Sequence, residues 1–250
     1  MALTLWGRTS SSNTQKVLWT LHEAGRRLLQ PGQPRPANHL GVTFIPASAR
    51  LGPSSELLGE REVFGVVGTA EYGELNPHQM IPTLRVDPAD DESPTVLWES
   101  NTICRYLAQA YAPELHGRSA EGMAQASMWM DWVLHGSNFA PSFGSANHHL
   151  IDQTARTPPP SRDLHAIHTA HEEYLQCLAV VEGHLERSGR EFLVGEGFGV
   201  GDVPFGVELN RWSLCVHRAH PPRPSLFAAV LSLLPCCCRG PSSLQPRSAS

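Results

Sequence analysis

The sequence predicts an α/β domain at the N-terminal end followed by an all-α domain, on three observations. First, the stretch Leu75 to Leu107, LNPHQMIPTLRVDPADDESPTVLWESNTICRYL, holds two short apolar runs, Thr83 to Val86 and Thr95 to Trp98, around the turn DPADDESP. Second, the period changes at Asn101. Ile103, Leu107 and Ala110 recur at helical spacing, so the hairpin feeds a helix. Third, no strand pattern recurs beyond Ala112 to Gly117, APELHG, which reads as a linker.

A chain of 250 residues with 41% hydrophobic content can bury a large core in one or two domains. Its net charge of −5 argues against nucleic acid as a partner. Lys16 is the only lysine among 19 Lys and Arg residues, which reads as coding bias. The opening MALTLWGRTSS lacks a basic segment before a long apolar run, so no signal peptide is expected. No apolar stretch approaches the ~20 residues that a membrane helix needs, so no membrane partner is expected. Six cysteines include the run Cys236-Cys237-Cys238, but no CxxC pair lies near the first helix, which excludes a thioredoxin-type dithiol. Adjacent cysteines make a poor disulfide framework, and a reducing cytoplasm is the simplest home.

Residues 3–7 predict a strand, and Asn13 to Ala24 a helix with Val17, Leu18 and Leu21 inward. Ser12 lies three residues before Gln15, a capping-box pattern, which leaves Ser11 as a free hydroxyl. Arg26 to Leu40 is Pro-rich and reads as a poorly packed insertion before a second strand at Val42 to Ile45. Pro46 to Glu74 predicts a loop with a short helix near Ala70 to Glu74.

Ser100 falls where the helix after the hairpin begins, and serine is a favoured N-cap. A helix N-terminus offers unpaired N–H groups and the positive end of the macrodipole. With Glu99 beside it, the pair suits a zwitterion: carboxylate onto Ser100, ammonium onto Glu99.

NPxxxIPxL, then a hairpin, then WESNxIxRYLA resembles the glutathione-binding half of the cytosolic glutathione transferases. The opening LWGRTSSSNTQKVLW resembles the start of the bacterial and theta-like serine branch, and the likeness extends to about Trp212. It implies a thioredoxin-like domain over residues 1–112 and an all-helical substrate domain over 118–212; residues 213–250, beyond the likeness, have no acidic residue and many prolines and serines and read as an atypical, poorly ordered tail. It implies conjugation of glutathione, the co-substrate, to a small-molecule electrophile, with no metal, in a homodimer. A non-catalytic binding module or a glutathione-dependent reductase or peroxidase are the alternatives. Ile81 and a cis Pro82 match the positions that hold the cysteinyl part. Glu99 and Ser100 match those that hold the γ-glutamyl end. Ser11 aligns with the catalytic serine, and Asn13 is a second donor. A free thiol has a pKa of about 8.5, and a hydroxyl donating to sulfur favours the thiolate. Arg50 and Arg61 are candidates for the glycine carboxylate, although a solvated arginine is the better reading. Met80 stands where many relatives carry lysine.

Ser119 to Phe139 predicts a long helix with Met123, Ala126, Met130, Val133 and Leu134 inward, and its WMDW resembles the first long helix of the family's second domain. Trp132 and Phe139 are the candidates for the electrophile pocket. A polar connection with His148 and His149 follows, then a helix from Asp163 to Arg187 with Leu164, Ile167, Leu178, Val181 and Leu185 inward. Its His165, His168 and His171 rise in three-residue steps that spread them over about a third of the circumference, a solvated face rather than a converging metal set. Phe192 to Trp212 resembles the family's buried turn and core helix, with Asp202 as a folding residue and Gly199 in place of the usual Ser or Thr. That exchange costs a few tenths of a kcal/mol.

Overall fold

The computed structural model describes residues 2–25, 27–29, 41–47, 66–90, 92–117, 119–134, 143–151, 153–154 and 157–216. A five-stranded sheet in the order β2-β3-β1-β4-β5 forms the first half. Its strands are β1 (Ala2–Gly7), β2 (Arg27–Leu29), β3 (Gly41–Pro46), β4 (Thr83–Asp87) and β5 (Thr95–Trp98). β2 and β3 run parallel to β1, whereas β4 and β5 form an antiparallel hairpin beside it. The hairpin, the helix near Ala70 and the strand at Val42 fall where the periodicity placed them. β2 does not, because Arg27–Leu29 adds an edge strand inside the stretch expected to pack poorly. The rest of that stretch, residues 26 and 30–40, lies outside the described residues.

Alternation along β1 gives the sheet two occupied faces. Leu3 and Leu5 point into a core shared with Val17, Leu18 and Leu21 of α1 (Ser12–Glu23) and with Ile103, Cys104 and Leu107 of α3 (Ser100–Tyr111). Trp6 points the other way, against Ala47, Val67, Ile81 and Tyr72 of α2 (Ala70–Leu75). Glu99 links β5 to α3 at φ +70°, an uncommon region for a side-chain-bearing residue.

The second half is helical: α4 (Pro113–His116), α5 (Ala120–Trp132), α6 (Phe143–Ile151), α7 (Leu164–Ser188) and α8 (Asp202–Val216). Their core joins Trp129, Val133, Ala146, Tyr174, Val181, Phe205 and Trp212. Among the described residues no helix is long and apolar enough to cross a membrane.

Several expectations need correction. The linker at Ala112 to Gly117 contains α4, and His148 and His149 belong to α6 rather than to a loop. Leu134 is 41% exposed, since it follows the end of α5 rather than continuing its stripe. Leu164 is 75% exposed, because it is the first residue of α7, beneath the Asp163 cap, and the buried stripe starts only at Ile167 and Ala170. His171 does not lie on a solvated face: its ring stacks on Trp212 with centroids 5.9 Å apart. Residues 217–250 lie outside the described residues.

Asp202 opens α8 from a buried position. Its Oδ1 accepts from the Leu193 N–H and its Oδ2 from the Gly199 N–H, both at 2.9 Å. Gly199 has a steric reason of its own, since a Cβ there would lie 3.0 Å from the Leu115 carbonyl oxygen. Burial raises the Asp202 pKa from 3.8 to about 6, against the lowering effect of those backbone donors. The folded pKa therefore exceeds the unfolded one. The stability contributed by the protonated carboxyl is complete below about pH 4 and lost as pH rises through about 6. Urea unfolding across pH 4–8 should show this decline in the native chain, on the order of 2–3 kcal/mol, and not in Asp202→Asn. Parallel pH profiles for the two proteins would remove Asp202 as the source.

Candidate active site

The sheet register brings three separate sequence elements to one end of the sheet. Trp6 of β1 pairs with Thr83 of β4, and Thr83 pairs with Trp98 of β5. The turn into α1 leaves β1 just beyond Trp6. Ile81-Pro82 enters β4 just before Thr83, and Glu99-Ser100 leaves β5 just after Trp98. Ser11, Pro82 and Ser100 thus sit on segments that leave or enter neighbouring strands at the same end.

The α1 start differs from the expected arrangement by one residue. Ser11, not Ser12, is the N-cap: its Oγ accepts from the Thr14 N–H at 3.5 Å, and α1 begins at Ser12. The four-residue polar run offered two serines in adjacent frames, and Ser11 has the extended backbone of a cap. A hydroxyl that caps by accepting keeps its own proton to donate. Ser11 is half-buried and Asn13 exposed.

Ile81-Pro82 is a cis peptide, and Ile81 is buried. The loop before it is pinned by its own polar residues. The Tyr72 hydroxyl donates to the Met80 carbonyl at 2.7 Å and lies 2.7 Å from Thr83 Oγ1. Asn76 Nδ2 donates to the same carbonyl and to Thr83 Oγ1, both at 3.0 Å. Burial raises the Tyr72 pKa, against hydrogen bonds from Thr83 and Asn76, so the phenol stays protonated as a donor. Met80 itself is 48% exposed.

Ser100 is the first residue of α3 rather than its cap. Glu99 holds the cap position and makes no side-chain cap bond. The buried Ser100 hydroxyl instead donates to Asn13 Oδ1 at 3.2 Å, tying the start of α3 to the start of α1. Lys16 Nζ donates to the same oxygen at 3.0 Å. Reading the sequence missed Lys16. The available signal was KVLWTL, six residues with no polar stripe after the lysine, as expected of a helix buried all round.

Trp132 is half-buried against the helical core and meets Trp129 edge-on at 5.3 Å. Phe139, Arg50 and Arg61 lie outside the described residues. Among the described residues no group of three or more His, Cys, Asp or Glu is placed to hold a metal ion.

A thioredoxin-like α/β domain with a cis-proline loop beside two converging helix starts, followed by an all-helical domain, defines a two-domain architectural class. The chain is 32% identical over 228 residues to glutathione S-transferase GstB of Escherichia coli strain K12, covering 90% of this chain and 89% of that protein. It is 27% identical over 230 residues to glutathione S-transferase 3 of Zea mays, covering 91% of this chain and 83% of that protein. The theta class glutathione S-transferase of the citrus canker pathogen Xanthomonas axonopodis pv. citri, solved with glutathione bound, superposes with a TM-score of 0.68. That match has 30% identity and covers 92% of this chain and 91% of that one. No protein-family model matches the chain. The chain belongs to the glutathione S-transferase family.

The polar pinning of the Met80 carbonyl is open to test. Tyr72→Phe leaves that carbonyl to Asn76 and Thr83, and should cost about 1–3 kcal/mol in urea unfolding. A loss too small to measure would show that Asn76 and Thr83 suffice.

Proposed function

We propose that this glutathione S-transferase joins the thiolate of glutathione to a small electrophile at the end of the sheet where Ser11, Pro82 and Ser100 meet. The observation that carries the reading is the contrast between helix starts. α1, α2, α5 and α7 each begin under a side-chain cap, from Ser11, Thr69, Ser119 and Asp163, whereas α3 begins without one, as does the four-residue α4 with Pro113 in its first turn. Its first N–H groups and positive dipole end suit the carboxylate of the γ-glutamyl group. Glu99, exposed beside that start, takes the ammonium. The Ile81 backbone pairs with the cysteinyl unit, which directs the sulfur toward the α1 start.

Ser11 then donates its free hydroxyl proton to the sulfur, and Asn13 Nδ2 donates a second hydrogen bond. Both favour the thiolate over the thiol. The serine activates a bound nucleophile and forms no covalent bond itself. Residues 1–112 form the glutathione-binding domain and 118–212 the electrophile-binding one. Trp132 and Phe139 border the electrophile. A homodimer acting in detoxification in the cytoplasm completes the reading, supported by the family alone.

Ser11→Ala should lower kcat/KM for conjugation to an aryl halide about 10- to 100-fold at neutral pH, the worth of one hydrogen bond to a charged group. Its pH–rate profile should move to higher pH, because the bound thiol ionises later. An unchanged profile would take Ser11 out of the mechanism. Retention of the native chain on glutathione resin without turnover on a panel of electrophiles would replace the transferase with a binding role.

A further inference from the structure

The chain's only lysine is among its most buried side chains. Lys16 lies inside α1 at 1% exposure, between residues packed on the sheet and residues packed on α8. Taking an ammonium out of water is costly, and a methionine or leucine would fill the same space without that cost. Burial pushes the Lys16 pKa down. Glu208 of α8 and Glu99 act against that, whereas Arg211 of α8 adds to it. The Cys104 thiol, pushed up to about 11 by burial, stays neutral and supplies no charge. Service as counter-ion to Glu208 would be the simplest reason for the lysine. Yet among the described residues the ammonium's hydrogen bond goes elsewhere, to Asn13 Oδ1 at 3.0 Å.

That bond fixes which way the Asn13 amide faces. An ammonium has donors and no acceptor, so the atom facing it is the amide oxygen. Ser100 donates to the same oxygen, so both lone pairs of Oδ1 are engaged from the protein side. Nδ2 is left on the opposite edge of a side chain that is itself exposed. Without Lys16, a flipped amide donating to Ser100 Oγ becomes an alternative, with the oxygen facing outward. An outward oxygen repels a thiolate, and an outward N–H₂ stabilises it.

We propose that Lys16 is a positioning residue, whose bond to Asn13 Oδ1 locks the Asn13 amide with Nδ2 presented to the glutathione sulfur. The proposal rests on the reading of Asn13 as a donor to that sulfur. It replaces coding bias as the account of the single lysine at this position.

The test compares Lys16→Met, Asn13→Ala and the double variant in conjugation to an aryl halide across pH. Lys16→Met should lower kcat about tenfold, as for one lost hydrogen bond, with the glutathione KM changed less than about twofold. Its pH profile should move to higher pH. Lys16→Gln, which can still donate to Oδ1, should recover part of the loss. Because Lys16 acts through Asn13, the double variant should be no worse than Asn13→Ala. Additive losses overturn the proposal, as does a normal Lys16→Met beside a defective Asn13→Ala. A silent Asn13→Ala removes the reading of Asn13 itself, and the proposal with it. Should Lys16→Met fail to fold, the intact chain still decides. Protein labelled with 13C at lysine ε carries a single lysine signal. Saturating glutathione should displace that signal in the native chain and not in Asn13→Ala. A signal indifferent to glutathione in the native chain overturns the proposal.

Discussion

Helix α1 has no solvent face between Lys16 and Leu21: all six residues are buried. The rest of the structure follows from this constraint. A helix buried all round needs a neighbour on every side. The sheet and α3 cover one side through Val17, Leu18 and Leu21. The other is covered by α8 and the turn before it, where Trp19 stacks on Phe198 at 5.0 Å and packs against Val203 and Val207. The two halves of the chain are therefore joined through α1 rather than merely linked by residues 112–117. The Asp202 carboxylate matters for the same reason, because it holds the turn that brings Phe198 onto Trp19. The Trp19 indole N–H spends its hydrogen bond on Glu23, one turn further along α1, so that large ring leaves no donor unpaired.

The strain at Glu99 has its origin in the sheet. Trp98 is still paired with Thr83 in the β ladder, and Ser100 is already helical. One residue must reverse the chain, and it does so at positive φ, at a cost on the order of 1–3 kcal/mol. Burial on both sides offsets that cost. Asn101 donates to the Met130 carbonyl at 2.6 Å, and Ile103 and Cys104 are fully enclosed. A sharper exit from β5 keeps the α3 start at the end of the sheet, level with the α1 start, close enough for Ser100 to reach Asn13.

Much of the first half was legible because its signals are local. The apolar runs of the hairpin, the period change at Asn101 and the Ile81-Pro82 pair all lie within short windows, and the structure follows them. What escaped depends on distant neighbours. Three residues at Arg27–Leu29 carry too little pattern to register as a strand, and they become one only by pairing with β3. His171 reads as solvated from its own helix, but Trp212, forty-one positions on, supplies the ring that covers it. Lys16 reads as surface by residue type, and only the packing of α3 and α8 encloses it. The serines at both helix starts were right in element and one frame off in role: at α1 either of two adjacent serines could cap, and at α3 the helix starts one residue earlier than a serine cap requires, with Glu99 at the cap position.

Those one-residue shifts change the chemistry of the site. With Ser12 as the cap, Ser11 would have been an uncommitted hydroxyl with many orientations. As the cap, Ser11 has its oxygen held by the Thr14 N–H, and only its proton remains to be directed outward. With Ser100 as the cap, its oxygen would have satisfied an α3 N–H and closed that helix end to an anion. As the first helical residue, it turns its proton to Asn13 and leaves the helix end open. One helix start is thus capped so that it presents a donor from a side chain. The other is uncapped so that it presents donors from the backbone. A thiolate needs one short, aimed hydrogen bond, whereas a carboxylate is best met by several N–H groups and a dipole. In the proposed placement the α1 start meets the sulfur and the α3 start meets the γ-glutamyl carboxylate, each with the kind of donor that suits it.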